Sequence, residues 1–120
     1  QILDQAGREG NYTEASASCM IVYALAKGIR KGYLAPKYLD AAQRGYTGIL
    51  EHLVDVDECG QVKLTRICAV AGLGGEQQRD GSFEYYIGEP VATNDYKGVG
   101  AFLLASAEIE RLSKSKLEDL

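Results

Sequence analysis

The stretch Ala15 to Ala26, ASASCMIVYALA, constrains this chain more than any other. Wound as a helix, it leaves no polar side, because Ala15, Ala17, Cys19, Met20, Ile21, Val22, Tyr23, Ala24, Leu25 and Ala26 point in every direction. A helix apolar all round has to be surrounded by protein. The pattern predicts this helix over residues 14–31. Thr13 reads as its N-cap, and Glu14 places negative charge in the first turn. Lys27, Arg30 and Lys31 crowd the last turn, where they complement the helix dipole, and Gly32 with Pro36 stops it. One feature resists this reading. Glu14, Ser16 and Ser18 make the tip polar in a helix that otherwise calls for burial.

A second helix starts at Pro36, a first-turn position that proline suits. Tyr38, Leu39, Ala42, Tyr46, Ile49, Leu50 and Leu53 recur at helical spacing, while Lys37, Asp40, Gln43, Arg44, Thr47 and Glu51 take the other face. The short link between the two predicts an antiparallel helical hairpin. From Val54 the period changes to two. Val54 and Val56 alternate with Asp55 and Asp57, Glu58-Cys59-Gly60 turns, and Val62, Leu64 and Ile67 to Val70 resume, which reads as a small β-hairpin. A long loop follows, GLGGEQQRDGSFEYYIGEPVATNDYKG, rich in glycine and aromatics. A third helix is expected over residues 95–112, capped by Thr93 or Asn94. A polar tail, residues 113–120, closes the chain.

With 120 residues there is room for one small domain. The second and third helices can cover only part of the apolar first one, so the chain reads as part of something larger. The opening QILDQ, with no initiator Met and no polar tail before Ile2, reads as a chain entered in mid-course. The net charge is −4, and no basic cluster with interleaved aromatics occurs, which argues against a nucleic-acid surface. No apolar run is long enough to span a membrane. Cys19, Cys59 and Cys68 lack zinc spacing. Cys19 reads as core, and a bridge between Cys59 and Cys68 is conceivable but not favoured. His52 has no second ligand near it, so no metal is expected.

Several motifs invite chemistry. VAGLGGEQQRDG follows a strand-like run, yet Gln77 stands where a dinucleotide fingerprint needs glycine, and no helical pattern follows. RDGSFEYYIGEP reads as a turn at Asp80-Gly81-Ser82 and then a short strand. Phe83, Tyr85 and Tyr86 are core residues in that reading. The alternative is a carbohydrate rim, since aromatic faces meet sugar C–H faces. TNDYKGVGA and NYTEASAS each enter a helix, and helix N-termini present free N–H groups to anions. No nucleophile–base pair is readable. The carboxylate pairs Glu84 with Glu89 and Asp55 with Asp57 have no identifying spacing, so solvated charge is their ordinary reading.

Taken together, these words resemble one family. REGNYTEASASCMIVYALAKGIRKGYL, then GLGG, RDGSFEYYIGEP, Asn94-Asp95, Lys97-Gly98-Val99-Gly100-Ala101 and FLLASAEIER are similar, in order, to the C-terminal third of the unsaturated rhamnogalacturonyl hydrolases. These are glycoside hydrolase family 105, relatives of the unsaturated glucuronyl hydrolases. The likeness runs over about residues 1–112. It implies a mainly α fold, a segment of an (α/α)6 barrel of the six-hairpin glycosidase type with a small β-hairpin. In that fold the first helix is an inner stave and the second its outer partner. Three or more hairpins would be missing, so the barrel cannot close within the chain.

The resemblance also implies chemistry. Such enzymes hydrate the C4=C5 double bond of an unsaturated uronic acid at the non-reducing end of pectin-derived oligosaccharides. The product rearranges and releases the sugar. A catalytic aspartate serves as general acid/base, with no metal or other cofactor. That aspartate lies upstream in the family and nothing in this chain matches its motif, so no catalytic residue is assigned. Inner-helix N-termini face the pocket in this architecture, which makes Arg8, Asn11, Tyr12, Glu14, Ser16, Asn94, Asp95 and Lys97 the expected substrate-binding wall. Arg8 or Lys97 would meet the uronate carboxylate. The partners expected are an oligosaccharide and either the remainder of the barrel or further copies of the chain covering its open helix faces. Neither nucleic acid nor membrane is expected. The compartment, periplasmic or cytoplasmic, stays open. The alternative reading is a non-catalytic helical module that binds carbohydrate or serves as scaffold.

Overall fold

Glu14 opens the first helix. In the computed structural model, which describes residues 1–118 and their side chains as far as Lys114, its backbone is extended and its carboxylate accepts the N–H groups of Ser16 and Ala17. Glu14, not the expected Thr13, is therefore the N-cap of α1, Ala15–Arg30. Its longer side chain folds back onto the same free donors that a threonine cap would satisfy. At the far end Gly32, at φ 74°, donates its N–H to the Ile29 carbonyl at 3.0 Å and closes the helix. Pro36–Tyr38 forms a single 3-10 turn that leads into α2, Leu39–His52.

β1, Val54–Val56, pairs antiparallel with β2, Val62–Leu64, with Val54 opposite Leu64 and Val56 opposite Val62. The Asp57 carboxylate holds the turn by accepting the Cys59 and Gln61 N–H groups at 3.0 and 2.9 Å. The run after Thr65 leaves this hairpin. β3, Ile67–Cys68, pairs instead with the distant β4, Val91–Ala92. Cys59 is exposed, Cys68 is buried, and both are free thiols.

Two stretches differ from the sequence reading. The expected strand after Ser82 is a short helix, α3, Phe83–Gly88. Aromatics favour strands only weakly, and here the Ser82 hydroxyl accepts the Tyr85 N–H at 3.1 Å as an N-cap. The last helix, α4, runs over Tyr96–Glu118 and not 95–112. Polar residues of the expected tail continue it, helped by a Lys114–Glu110 pair at 2.5 Å one turn apart. Residues 119 and 120 of that tail lie outside the described residues. Neither Thr93 nor Asn94 caps α4. Asp95 does, with its carboxylate accepting the Lys97 N–H at 3.1 Å.

The other two long helices, α2 and α4, pack against α1. The segment Leu64–Cys68 ties the starts of α1 and α4 together: Ala15 donates to the Arg66 carbonyl, and Asn94 donates to the Leu64 carbonyl, both at 2.9 Å. Further along, Arg30 of α1 grips Glu108 of α4 in a two-pronged ion pair, Nε–Oε2 2.6 Å and Nη2–Oε1 2.9 Å. The two helices therefore run side by side in the same direction. α2 returns antiparallel, with its Leu53 end beside Thr13 and its Tyr46 hydroxyl donating to Ser106 on α4 at 2.9 Å. Ala15, Cys19, Val22, Ile49, Leu53, Leu64, Ile67, Ala101 and Ala105 form one core. Burying a side chain such as Ile49, Leu53 or Ile67 stabilises by roughly 2 kcal/mol.

The helix apolar on all sides is covered on only part of its surface. Its Ala15, Cys19, Val22 and Ala26 stripe is buried, whereas Ala17, Met20, Ile21 and Ala24 are exposed. The radius of gyration, 16.2 Å, exceeds the about 14 Å of a compact chain of this length.

Candidate functional site

The eight expected wall residues fall into three places. Glu14 and Ser16 sit at the start of α1, and both are buried. Glu14 Oε1 accepts from Ser16 N at 3.1 Å, Ser16 Oγ at 2.8 Å and Cys68 N at 2.9 Å. Its Oε2 accepts from Ala17 N at 2.7 Å and Ser16 Oγ at 3.0 Å. One carboxylate thus caps α1 and pins β3 against it. It also occupies the N–H groups that would otherwise meet an anion, so the α1 terminus is internally neutralised.

Asn11 and Tyr12 precede this cap. The Asn11 carboxamide is fully used within the chain. Its oxygen accepts from Ile2 N and Tyr12 N, each at 3.0 Å, and its NH2 donates to the carbonyls of Ile2 at 2.8 Å and Gln5 at 2.9 Å. This ties the N-terminal segment, with its 3-10 turn Leu3–Gln5, to the entrance of α1. The Tyr12 hydroxyl is buried without a well-formed hydrogen bond. Burial, with the Cys68 thiol beside it and the Glu14 carboxylate near, pushes its pKa up to about 12. Asn11, Tyr12 and Glu14 line a cleft of about 250 Å³ together with Gln1, Thr13 and Ser18. Sequence reasoning passed over Gln1, Thr13 and Ser18. Their only signal was adjacency to the polar turn, and Gln1 arrives from across the turn through the Asn11 clamp.

Arg8 lies apart from this cleft. Its guanidinium stacks 3.6 Å from the Phe83 ring centre, pairs with Glu84 at 2.7 Å and donates to the Gln5 carboxamide at 2.8 Å. It clamps the opening turn onto α3, the helix read as a strand. Asn94, Asp95 and Lys97 lie at the start of α4. Asn94, at φ 56°, accepts the Leu64 N–H at 2.8 Å and secures β2. Asp95 pairs with the Lys97 ammonium at 2.8 Å. The Lys97 ammonium and backbone N–H hold the Asp95 carboxyl below the usual range. Both helix starts hang on Leu64–Cys68, yet Asn94, Asp95 and Lys97 do not line the α1 cleft.

The loop after β3 is held by its own contacts. The Arg79 Nε donates to the Gly74 carbonyl at 3.0 Å, and Gly72 N donates to the Tyr85 hydroxyl at 3.1 Å. Tyr85 and Tyr86 stand 5.1 Å apart with tilted rings. Among the described residues no group of three His, Cys, Asp or Glu side chains is placed to hold a metal. No described helix is long and apolar enough to cross a membrane. The arrangement offers a cleft of mixed polar and apolar lining beside the capped start of α1, two cations each already holding a carboxylate, and the aromatics Phe83, Tyr85 and Tyr86 grouped on α3.

Comparison with known proteins agrees with this architecture. A solved glycoside hydrolase from Family 105 of C. acetobutylicum ATCC 824 superposes with a TM-score of 0.90 and 51% identity, over 92% of this chain and 31% of that one. A crystal structure from Klebsiella pneumoniae subsp. pneumoniae MGH 78578, described as a possible GH105 member, shares the fold at a TM-score of 0.65 and 22% identity, over 91% of this chain and 25% of that one. Two curated relatives, Protein Atu3128 of Agrobacterium fabrum and a 24.9 kDa protein in the picA locus of Rhizobium radiobacter, are each 45% identical over 114 residues, 90% of this chain. The chain spans about half the length of these relatives, 49%. The (α/α)6 barrel segment expected from the sequence is the fold observed. The family model for Glycosyl Hydrolase Family 88 matches residues 1–113, and the chain accordingly belongs to that family, with Family 105 structures as its structural neighbours.

Proposed function

We propose that this chain is one segment of a single barrel domain that removes unsaturated uronic acid from the non-reducing end of rhamnogalacturonan fragments by hydrating the C4=C5 double bond. It supplies part of the pocket wall and no catalytic acid. The observation that carries the reading is the cleft at the entrance of α1, where Asn11, Tyr12, Thr13, Glu14 and Ser18 set polar groups beside apolar Ile2, Leu3 and Ile21 in a chain of this glycoside hydrolase family. The side chains of Asn11, Glu14, Asn94 and Asp95 are already engaged with backbone groups and the Ser16 hydroxyl with Glu14, so their part is to hold the wall in shape. Arg8 and Lys97 remain partly exposed; Lys97 is held by Asp95, and Arg8 by Glu84 with the Gln5 carboxamide and the Phe83 ring beside it. They can exchange Glu84 and Asp95 for the uronate at little cost, since exposed pairs of this kind stabilise by only about 0–1 kcal/mol. Tyr12 lends its ring to the cleft.

The test replaces the matched third of the C. acetobutylicum protein with this chain and follows the ultraviolet absorbance of an unsaturated rhamnogalacturonan disaccharide. Loss of absorbance by a folded chimera is the expected result. Arg8→Ala and Lys97→Ala should each lower kcat/KM by about tenfold or more, the scale of one charge-assisted hydrogen bond. A folded chimera that leaves the double bond intact while the parent consumes it refutes the reading.

A further inference from the structure

Arg8, Arg30, Arg44 and Arg111 each hold a carboxylate. Arg66 is exposed to water and needs none. Arg79 is the exception. It is half-buried, and among the described residues no carboxylate pairs with it. A cation drawn partly out of water without a counter-ion is costly to keep. The chain nevertheless builds a mount for it. Arg79 donates its backbone N–H to the Gly74 carbonyl at 3.1 Å and accepts the Gly74 N–H at 2.8 Å. Its Nε donates to the same Gly74 carbonyl at 3.0 Å. Gly72 and Gly75 leave room for the rest of the guanidinium: a Cβ on Gly72 would lie 3.1 Å from Nη1, and one on Gly75 would lie 3.1 Å from Nη2. The Gly72 N–H is tied in turn to the Tyr85 hydroxyl of α3. The glycines of GLGG, which spell no dinucleotide fingerprint, therefore serve this arginine. With Nε spent on the backbone, the two Nη groups are the donors left over.

Arg79 lines an open cavity of about 330 Å³ with Val70, Glu76 and Gln77, within the about 300–1,000 Å³ that small-ligand sites occupy. The cavity shares no lining residue with the α1 cleft. Its chemistry suits an acidic sugar. Nη1 and Nη2 form a fork that matches the two oxygens of a carboxylate. Glu76 and Gln77 offer acceptors and donors to hydroxyls, and Val70, 58% exposed, offers an apolar surface to the C–H face of a ring. The Glu76 carboxylate repels a bare anion, so the lining favours a ligand that brings hydroxyls along with its charge. We propose that this cavity is a second subsite for an acidic sugar, in which Arg79 grips the carboxylate of a uronate residue further along the oligosaccharide than the one in the α1 cleft. This deepens the proposed function and rests on it. Val70 stands two residues after Cys68, whose N–H is held by Glu14 at the cleft. At most about 7 Å of backbone separates the two, a span that a short oligosaccharide bridges. A rhamnogalacturonan chain carries a carboxylate on every second sugar, so a uronate in the first subsite brings another within reach.

The test titrates the isotope-labelled full chain with a saturated rhamnogalacturonan tetrasaccharide and, separately, with its methyl ester. Nuclear magnetic resonance follows the Arg79 Nε–H and Gly75 N–H signals. The expected result is a saturable shift of both with the acid and an affinity about tenfold lower for the ester, the scale of one two-pronged charge-assisted contact. Arg79→Gln should weaken acid binding, read at Gly75, by about tenfold as well, with the helical circular dichroism intact. Arg66→Gln, which removes an exposed charge, should leave the affinity unchanged. Equal affinity for acid and ester overturns the proposal. So does the absence of any shift, or a loss in Arg66→Gln as large as that in Arg79→Gln. In the chimera, an Arg79→Gln change that lowers stability in urea and leaves sugar affinity as it was hands the guanidinium to a protein carboxylate outside this chain, and the subsite is refuted. The ester comparison uses the unaltered chain, so it holds even where a variant misfolds. The saturated sugar has no double bond to hydrate. Binding through Arg79 beside a chimera that leaves the unsaturated disaccharide intact therefore counts against the proposed activity alone, and hydrolysis without Arg79-dependent binding counts against the subsite alone.

Discussion

Replacing Glu14 is the sharpest test of how the entrance of α1 is built. Glu14→Ala removes the cap of α1, which costs about 1 kcal/mol. It also leaves the Cys68 N–H without its acceptor in a strand whose residues are buried, at roughly 1–3 kcal/mol for a stranded donor. The Ser16 hydroxyl, which meets both Glu14 oxygens, loses its partner as well. The expected total is about 2–4 kcal/mol. Glu14→Gln keeps the length and one accepting oxygen. It can satisfy Cys68 or Ala17 but not both, because its NH2 faces a donor, so about half the loss is expected. Urea unfolding followed by circular dichroism measures the two losses, and amide hydrogen exchange reads Cys68 and Ala17 individually. If Glu14→Ala shifts stability by less than about 0.5 kcal/mol, or leaves the Cys68 amide as protected as before, the account of Glu14 as a joint between helix and strand is wrong.

Three further outcomes are expected. Gly98→Ala places a Cβ 2.6 Å from Ile67 Cδ1 and 2.8 Å from its Cγ1. With Ile67 fully buried, this overpacking should cost about 1–3 kcal/mol in urea unfolding. Glu108 is buried and held below its ordinary pKa of 4.5, chiefly by the Arg30 guanidinium. Its contribution is complete above pH 4.5 and is lost as pH falls through its lowered pKa, so Glu108→Gln should flatten the acid limb of the stability profile. Cys59 should react quickly with a thiol reagent under native conditions. Cys68 and Cys19 should react only on unfolding, because both are buried and burial pushes the Cys19 pKa up to about 11.

Short-range signals in the sequence carried much of the fold. Proline at position 36, the period-3.6 pattern through Leu53 and the alternation from Val54 to Leu64 each act over a few residues, and each element formed where these signals stand. The aromatic run Phe83–Ile87 was misread because its strand preference is weak, and a Ser82 cap together with the Arg8–Phe83 stack decides it as helix. The polar tip of α1 was legible as an anomaly. Its candidate site was legible in part: Asn11, Tyr12 and Glu14 do line one cleft, while Arg8 and the Asn94–Lys97 turn stand elsewhere.

The sequence by itself determined that α1 is apolar on every side, that its tip differs from its body, and which family's words it speaks. Apolar burial and helix capping are properties of residue type and spacing, so they can be read along one strand of text. Only the tertiary structure decided that Glu14 answers to Cys68, 54 positions away, and that Gly45 is required by Val22 while Gly48 is not. It also decided which face of α1 stays open. Those facts depend on which elements come together in space, and contacts between distant residues leave no period in the sequence that joins them.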